Sequence, residues 1–574
     1  MPAMTPTDTI NTVVPDSTTS SASTVCDLQM KDEKEDTVPE LERPEVPHST
    51  SVKRYTSRTP SLNLARLPSA AEPFGIPPPD LEKATTTASD KAQITQARKW
   101  GLLAIFSLAM FIDIWMYSAF FIFTDVISVD LGIPFSQQAW VITSYSVTFA
   151  AFLLFWGRVS DLYSAKPVFA WGFTVLGALS LVISFLPDMY SFFVLRAIAG
   201  IAGSALIPSS YRLITEVFEE HELGRAFTLF GISGALANVT GVIIAGVIDL
   251  IPLHGQGASW RWFFRLVAII IIPFATIAMF SIPTRRGTDA VSDVPKWKRL
   301  DLVGSTLMLG ATILLVLGLT LGAAQGFTTP AFLVPFIISL VVLFPGFFIW
   351  EAYIPEEMAL LPPSFRRIPN TILLIAFALQ IYGWWGVNFL AHVETYMKIH
   401  HESGILAAVR VLPQGVAAFT TLLFLTFVPK LVSRPRWTVI LGMILAIVGY
   451  ILFVQSKDFI GSDYWKYVFS GSIIGSAGMA ACFTATNVAL MTSVDPSVAG
   501  VAGALLQVSF QIGSSVSFGA QAGLLTVNEG GLANYKNIHA SFYFELAAMA
   551  VALIAFTIFY RQPKATGKVV VAAH

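Results

Sequence analysis

Between residues 100 and 560 the sequence returns fourteen times to an apolar run long enough to cross a bilayer, and no other property narrows the possible folds as much. A transmembrane helix needs about 20 predominantly apolar residues. The runs lie at 100–122, 138–157, 167–187, 191–214, 226–250, 263–283, 301–322, 331–351, 370–391, 405–428, 436–455, 465–490, 499–526 and 539–560. The core of a soluble protein has no use for so many stretches of this length. Composition agrees: 54% of the 574 residues are hydrophobic and 13% are charged, against about 25% charged in ordinary soluble domains. The expected fold class is an all-α polytopic membrane protein with 14 transmembrane helices.

Charge is concentrated at the start. Residues 1–98 hold 14 of the 37 acidic and 10 of the 36 basic residues, interleaved with Ser, Thr and Pro and without apolar periodicity. Such a stretch cannot bury enough surface to offset its ordering entropy, so a disordered tail is expected. With no early apolar segment, no cleavable signal peptide is expected either. Lys and Arg in short loops set orientation. If the tail is cytoplasmic, Arg158, Lys166, Arg225, Arg285, Arg286, Lys296, Lys298, Arg299, Arg366, Arg367, Lys430, Arg434 and Arg436 all fall on the inner side. The outer loops hold Arg261, Lys398, Lys457 and Lys536. Both termini are therefore expected in the cytoplasm, as an even number of helices requires.

A net charge of −1 provides no basic footprint for nucleic acid. Cys26 lies in the polar tail and Cys482 in an apolar run, so neither a disulfide nor a metal-ligand spacing is expected. His400-His401-Glu402 are adjacent on an outer loop and do not converge on an ion, so no metal site is expected. The sequence lacks a phosphate-binding loop of the Walker type, a G-x-S-x-G elbow and H-E-x-x-H, which leaves ATP-driven pumping and hydrolysis without support.

After the second helix the chain reads Gly157-Arg-Val-Ser-Asp161-Leu-Tyr-Ser-Ala-Lys166. A Gly allows a tight turn at the helix end, and Asp161 between Arg158 and Lys166 can build a charge network. Here the chain resembles the major facilitator superfamily, whose signature is G-x-x-x-D-x-x-G-x-[RK]; Gly157, Asp161 and Lys166 match, and Ser164 replaces the second Gly. The resemblance implies a major facilitator fold of two six-helix halves plus two inserted helices. It also implies that Asp161 stabilises an outward-facing state by meeting a helix N-terminus in the other half, here near Ser497 to Gly500. A loop that only sets topology is the alternative. The expected division is a tail at 1–98, an N-terminal half at 99–283, a linker with two inserted helices at 284–351, a C-terminal half at 352–561 and a second cytoplasmic tail at 562–574.

The fourth helix carries Arg196-Ala-Ile-Ala-Gly200-Ile-Ala-Gly203, which resembles the R-x-x-x-G-x-x-[GA] pattern of the same superfamily. A cation within a bilayer normally faces a partner in the bundle. Asp113 on the first helix lies at a similar expected depth, so Asp113 and Arg196 are candidates for proton coupling, with a static ion pair as the alternative. On the fifth helix Ala237, Gly241 and Ala245 form a small-residue ridge suited to close helix packing. The antiporter branches carry G-x-x-x-G-P-x-x-G-G there, whereas this chain has Asn238 at the Pro and Val242 at the last Gly.

Further resemblance, at Trp140-Val-Ile-Thr-Ser-Tyr145, Trp260-Arg-Trp-Phe-Phe264, Asp301-Leu-Val-Gly-Ser305 and Leu412-Pro-Gln-Gly415, is to the fourteen-helix drug:proton antiporter family. Within it the chain is similar to the fungal branch of aminotriazole-resistance and low-affinity ammonium transporters. The polar and aromatic residues expected to line a midplane cavity are Gln380, Tyr382, Trp385, Asn388, Asn487, Gln507 and Gln511. Arg410 and Glu545 are a candidate ion pair in the second half or an outer gate. The expected activity is secondary transport by alternating access, as proton-coupled efflux of a small organic molecule such as a drug, toxin or secondary metabolite. It would be driven by a proton gradient without cofactors, in a monomer spanning the cell membrane or the vacuolar membrane. The alternatives are a uniporter or importer of a small solute such as ammonium, and a non-transporting receptor that signals through its tail.

Overall fold

The computed structural model describes residues 94–561 except 135, 136, 139, 251–254, 284–294, 357, 362–364, 366 and 433. The expected disordered tail, up to residue 93, lies outside the described residues, as do Arg285, Arg286, Arg366 and the expected tail at 562–574. The spans are α1 Gln96–Ser118, α2 Trp140–Leu162, α3 Ala165–Ile183, α4 Met189–Val217, α5 Glu220–Asp249, α6 Ser259–Ser281 and α7 Lys298–Gln325. They continue with α8 Pro330–Tyr353, α9 Thr371–Ile399, α10 Gly404–Phe427, α11 Pro435–Gln455, α12 Gly461–Met491, α13 Pro496–Leu524 and α14 Tyr535–Phe559. All fourteen expected helices are present, with ends displaced by several residues.

The packing repeats itself. In the first half α1 lies on α5, α2 on α4 and α3 on α6, and in the second half α9 lies on α13, α10 on α12 and α11 on α14. The halves meet along two seams, α2 against α13 and α5 against α10. Apolar helices gain nothing by leaving lipid for one another, so close contact depends on small residues. Gly241 is such a contact: a Cβ there would come within 3.1 Å of Trp115 Cδ1 on α1, and Ala237 and Ala245 beside it are buried. α7 rests on both α2 and α13 and carries α8 on its outer side.

Both described ends of the chain lie at one end of the bundle, where the Asn370 side chain donates to Arg561 O at 2.7 Å and Arg98 Nη2 donates to Ser281 O at 2.8 Å. This is called the terminal end. There Lys99 Nζ bridges Glu219 at 3.2 Å and Glu222 at 3.1 Å, the two acids that form the capping box of α5. The first helix differs from expectation. It breaks at Ala119 and resumes as Phe120–Asp130, past the expected end at 122. At the opposite end Asp130 Oδ2 accepts from Trp260 Nε1 at 3.0 Å and Arg261 Nη2 at 3.1 Å. Asp113 therefore lies deeper below the opposite end than a helix stopping at 122 would place it.

Candidate functional site

At the terminal end, the signature segment closes one mouth of the seam between the halves. Gly157 to Leu162 form the last turns of α2, not a loop. The Gly is required for close approach: a Cβ on Gly157 would stand 2.8 Å from Ala504 Cβ and 2.9 Å from Gly500 O on α13. With α13 this close, Asp161 Oδ1 accepts from Gly500 N at 2.9 Å and Oδ2 from Val501 N at 2.8 Å. These are first-turn N–H groups of the helix proper, which begins at Ala499, so the carboxylate meets both the free donors and the positive end of the helix dipole. Arg212 Nε stands 3.9 Å from Asp161 and donates to Glu216 at 2.7 Å. Arg158 Nε turns to the start of α7 and donates to Arg299 O at 3.0 Å. Lys166 lies half-buried in the first turn of α3.

One level deeper the seam is plugged. The Tyr211 hydroxyl on α4 donates to Asn487 Oδ1 on α12 at 2.5 Å. Tyr382 stacks on Phe510 at 4.6 Å between centroids, with Phe483 6.3 Å from Tyr382.

Beyond the plug lies a cavity of about 150 Å³ between the halves. Asp113, Tyr117, Phe121, Tyr145 and Asn238 line it from the first half, and Tyr382, Trp385, Gln414, Gln507 and Gln511 from the second. It shares Tyr117, Phe121, Ser146, Gln511, Ser514 and Phe518 with a vestibule of about 550 Å³ toward the opposite end. The vestibule also takes in Asp125, Glu394 and Lys398, while Leu319, Thr320 and Ala323 of α7 form one of its walls. The cavity is thus shut by the Asp161 contact on one side and continuous with a wider space on the other.

Asp113 is the buried charged side chain on the cavity wall. Its Oδ1 accepts from the Tyr145 hydroxyl at 2.5 Å. Arg196 does not pair with it. The guanidinium sits 3.8 Å from the Phe120 ring centroid and 5.0 Å from that of Tyr145, and donates to Met116 O at 3.0 Å and Val141 O at 3.2 Å. Tyr145 stands between the two, offering its hydroxyl to the acid and its ring to the cation. Insertion of the Arg196 head beside Ala119 supplies a cause for the break in the first helix.

The family comparison carries the same division into halves. The model described as Major Facilitator Superfamily matches residues 105–299 and 373–573 and lapses over the stretch containing most of α7 and all of α8. The chain belongs to this superfamily. This major facilitator transporter is 28% identical over 477 residues to the puromycin resistance protein pur8 of Streptomyces alboniger, covering 81% of this chain and 88% of the relative. It is 25% identical to the efflux pump terJ of Aspergillus terreus, over 75% of this chain and 82% of the relative. It is 24% identical to the low affinity ammonium transporter of Saccharomyces cerevisiae, over 71% and 78%. The crystal structure of the human organic anion transporter MFSD10 aligns with a TM-score of 0.50 and 13% identity, covering 81% of this chain and 100% of that one, a likeness of fold. The chain is a multi-pass membrane transporter and not an enzyme.

The transporter places the expected residues unevenly. Tyr382, Trp385, Gln507 and Gln511 reach the cavity. Gln380, Asn388 and Asn487 do not: Gln380 donates to Glu545, Asn388 accepts from Gln414 Nε2 at 2.6 Å, and Asn487 belongs to the plug with Tyr211. Arg410 and Glu545 are not an ion pair. Arg410 makes a two-bond contact with Glu402 at 2.7 and 2.6 Å near the opposite end. Glu545 lies ten residues into α14, about 15 Å along the helix. Tyr117, Tyr145, Asn238 and Gln414 were missed as lining residues. The signal that finds two of them is the stripe of period 3.6: Met110, Asp113, Ile114, Tyr117 and Phe121 line the cavity from one helix face, and Val411, Gln414, Gly415, Ala418 and Leu422 from another.

Proposed function

We propose that this transporter exports a small organic molecule in exchange for protons, with the terminal end in the cytoplasm and Asp113 as the proton-carrying group. The observation that carries the reading is the site of Asp113. A carboxyl held by a neutral hydroxyl, with no cation in contact among the described residues, stands in the wall of the cavity through which a solute would pass. A buried acid in a transporter is a functional group by default, because its charged form is costly in the bilayer unless paired. Proton binding there and solute binding in the same cavity would compete, which is the requirement for exchange. Basic residues at the terminal end, such as Arg98, Arg299 and Arg434, support the cytoplasmic orientation. The names of two relatives, a resistance protein and an efflux pump, support outward transport.

Ammonium import is the rival, raised by a third relative. A cavity lined by aromatic side chains such as Tyr117, Tyr145, Tyr382 and Trp385, opening to a vestibule of about 550 Å³ with mixed polar and apolar walls, suits a larger, amphipathic solute better. The test has two steps. Comparison of metabolites inside and outside cells with and without the intact gene is expected to reveal a solute retained in its absence, and an unchanged profile at every pH overturns export. That solute is then followed in liposomes: Asp113→Asn is expected to abolish transport driven by a pH gradient, and undiminished flux removes Asp113 from the mechanism.

A further inference from the structure

A second acid is buried in the other half, away from the cavity wall. Glu545, on α14, is 0% exposed. Its Oε1 accepts from Gln380 Nε2 on α9, and its Oε2 from Ser517 Oγ on α13 at 3.4 Å. No Lys, Arg or His among the described residues forms a salt bridge with it. The remaining titratable group facing it is Tyr450 on α11, whose hydroxyl is already donated to Trp384 O at 2.9 Å. An unpaired carboxylate is costly in such surroundings even after relaxation, so the arrangement suits an acid that holds a proton. The neighbours can serve either form. Gln380 donates its amide N–H to one oxygen in either form, while the Ser517 hydroxyl can donate to a carboxylate or, by turning its O–H, receive the hydrogen of a carboxylic acid on the other oxygen. A fixed cation could not do this.

The acid also has a route to the path. Ser517, 7% exposed, lies three residues from Ser514 on α13, hence on the same face, and Ser514 lines both the cavity and the vestibule. Gly383 gives the carboxylate room on α9, since a Cβ there would stand 3.2 Å from Glu545 Oε1. We propose that Glu545, with Gln380 and Ser517, forms a second proton-binding site in the C-terminal half, reached from the cavity along the serine face of α13. It would work beside Asp113, and so rests on the proton-coupled reading for its use in transport, though not for its existence.

The test is infrared difference spectroscopy of the full chain in lipid, between mildly acidic and mildly alkaline buffer, for the wild type, Glu545→Gln, Asp113→Asn and the double variant. Glu545→Gln keeps an amide able to donate and accept but binds no proton. It is expected to remove one protonated-carboxyl band and to lower proton uptake by one per chain, with Asp113→Asn removing a different band. If Glu545→Gln leaves spectrum and uptake unchanged, the second site is overturned, whatever Asp113→Asn does. Failure of Asp113→Asn alone overturns the coupling role of Asp113 and leaves Glu545 standing. Should Glu545→Gln fold poorly, Ser517→Ala keeps the acid and is expected to shift its band. A band that does not move overturns the proposal.

Discussion

Asp161 on α2 and Gly500 on α13 join the two halves at the terminal end through a hydrogen bond of 2.9 Å from a backbone N–H to a carboxylate. A second bond, from Val501 N at 2.8 Å, completes the contact. Hydrogen bonds to charged groups contribute about 1.5–3 kcal/mol each. Asp161→Ala is expected to lower the population of the form closed at this end by about tenfold or more. The measure is labelling of a cysteine placed at Ser514, added from the opposite end in a background lacking Cys26 and Cys482. Unchanged labelling would show that other contacts hold the end shut.

Gly500→Ala tests the same contact from the other helix. The added Cβ would lie 2.5 Å from Ser160 Oγ, 2.6 Å from Asp161 Oδ1 and 2.9 Å from Gly157 O. Overpacking of this kind costs about 1–3 kcal/mol, so a lower melting temperature is expected. Because one of the three clashes is with the Asp161 side chain, the double variant Asp161→Ala/Gly500→Ala should lose less than the sum of the single losses.

Tyr145→Phe removes the hydroxyl that donates to Asp113 while keeping the ring beside Arg196. Flux driven by a pH gradient is expected to fall about tenfold or more, whereas exchange of labelled for unlabelled solute at equal pH is kept. Equal loss of both would assign the tyrosine to solute binding alone.

How far these residues were legible follows from what each signal depends on. Apolar length is local, so all fourteen spans could be read. The Asp161 motif is local too, and its partner, the start of α13, follows from the family resemblance that the motif carries and not from the residues alone. Side-chain direction is not encoded by proximity to the midplane. Gln380 is two residues from Tyr382, about 200° around the helix, and Asn388 is three from Trp385 yet turns its amide to Gln414. The Arg410–Glu545 pairing failed for another reason: Glu402, eight residues before Arg410 in the sequence, was nearer than any acid on another helix. Arg196 and Asp113 were correctly placed in one neighbourhood, but Tyr145 came between them.

The Arg410 contact yields an additivity test. Arg410 and Glu402 are largely buried, with side chains 22% and 12% exposed, and joined by two hydrogen bonds, so removal of either leaves a charge unpaired and is expected to cost more than the roughly 1 kcal/mol of an exposed pair. Arg410→Ala and Glu545→Gln share no partner and should add within about 0.5 kcal/mol in thermal denaturation. A larger coupling would place the two in one network.

Asp188 supplies a pH dependence outside the spans. It caps α4, accepting from Ser191 N and Ser191 Oγ, each at 2.8 Å, and these bonds hold its carboxyl below the usual range. A lowered value means that the stabilisation is present above the ordinary carboxylate range and is lost as pH falls through the folded value. Asp188→Ala should therefore melt below the wild type at neutral pH, with the gap closing in strong acid. A gap independent of pH would assign the loss to packing.

The position of α7 bears on any motion of the halves. It touches both, but its hydrogen bond to Arg158 fixes its start to α2, whereas on the α13 side Leu319 lies over Gly519 with no side chain to catch on. A hydrogen bond is directional and resists displacement, while an apolar contact over a glycine does not. The inserted helix is thus bolted to one half and bears on the other, and under the alternating access proposed above it would act as a sliding bearing that keeps the flank of the vestibule covered as its mouth changes width.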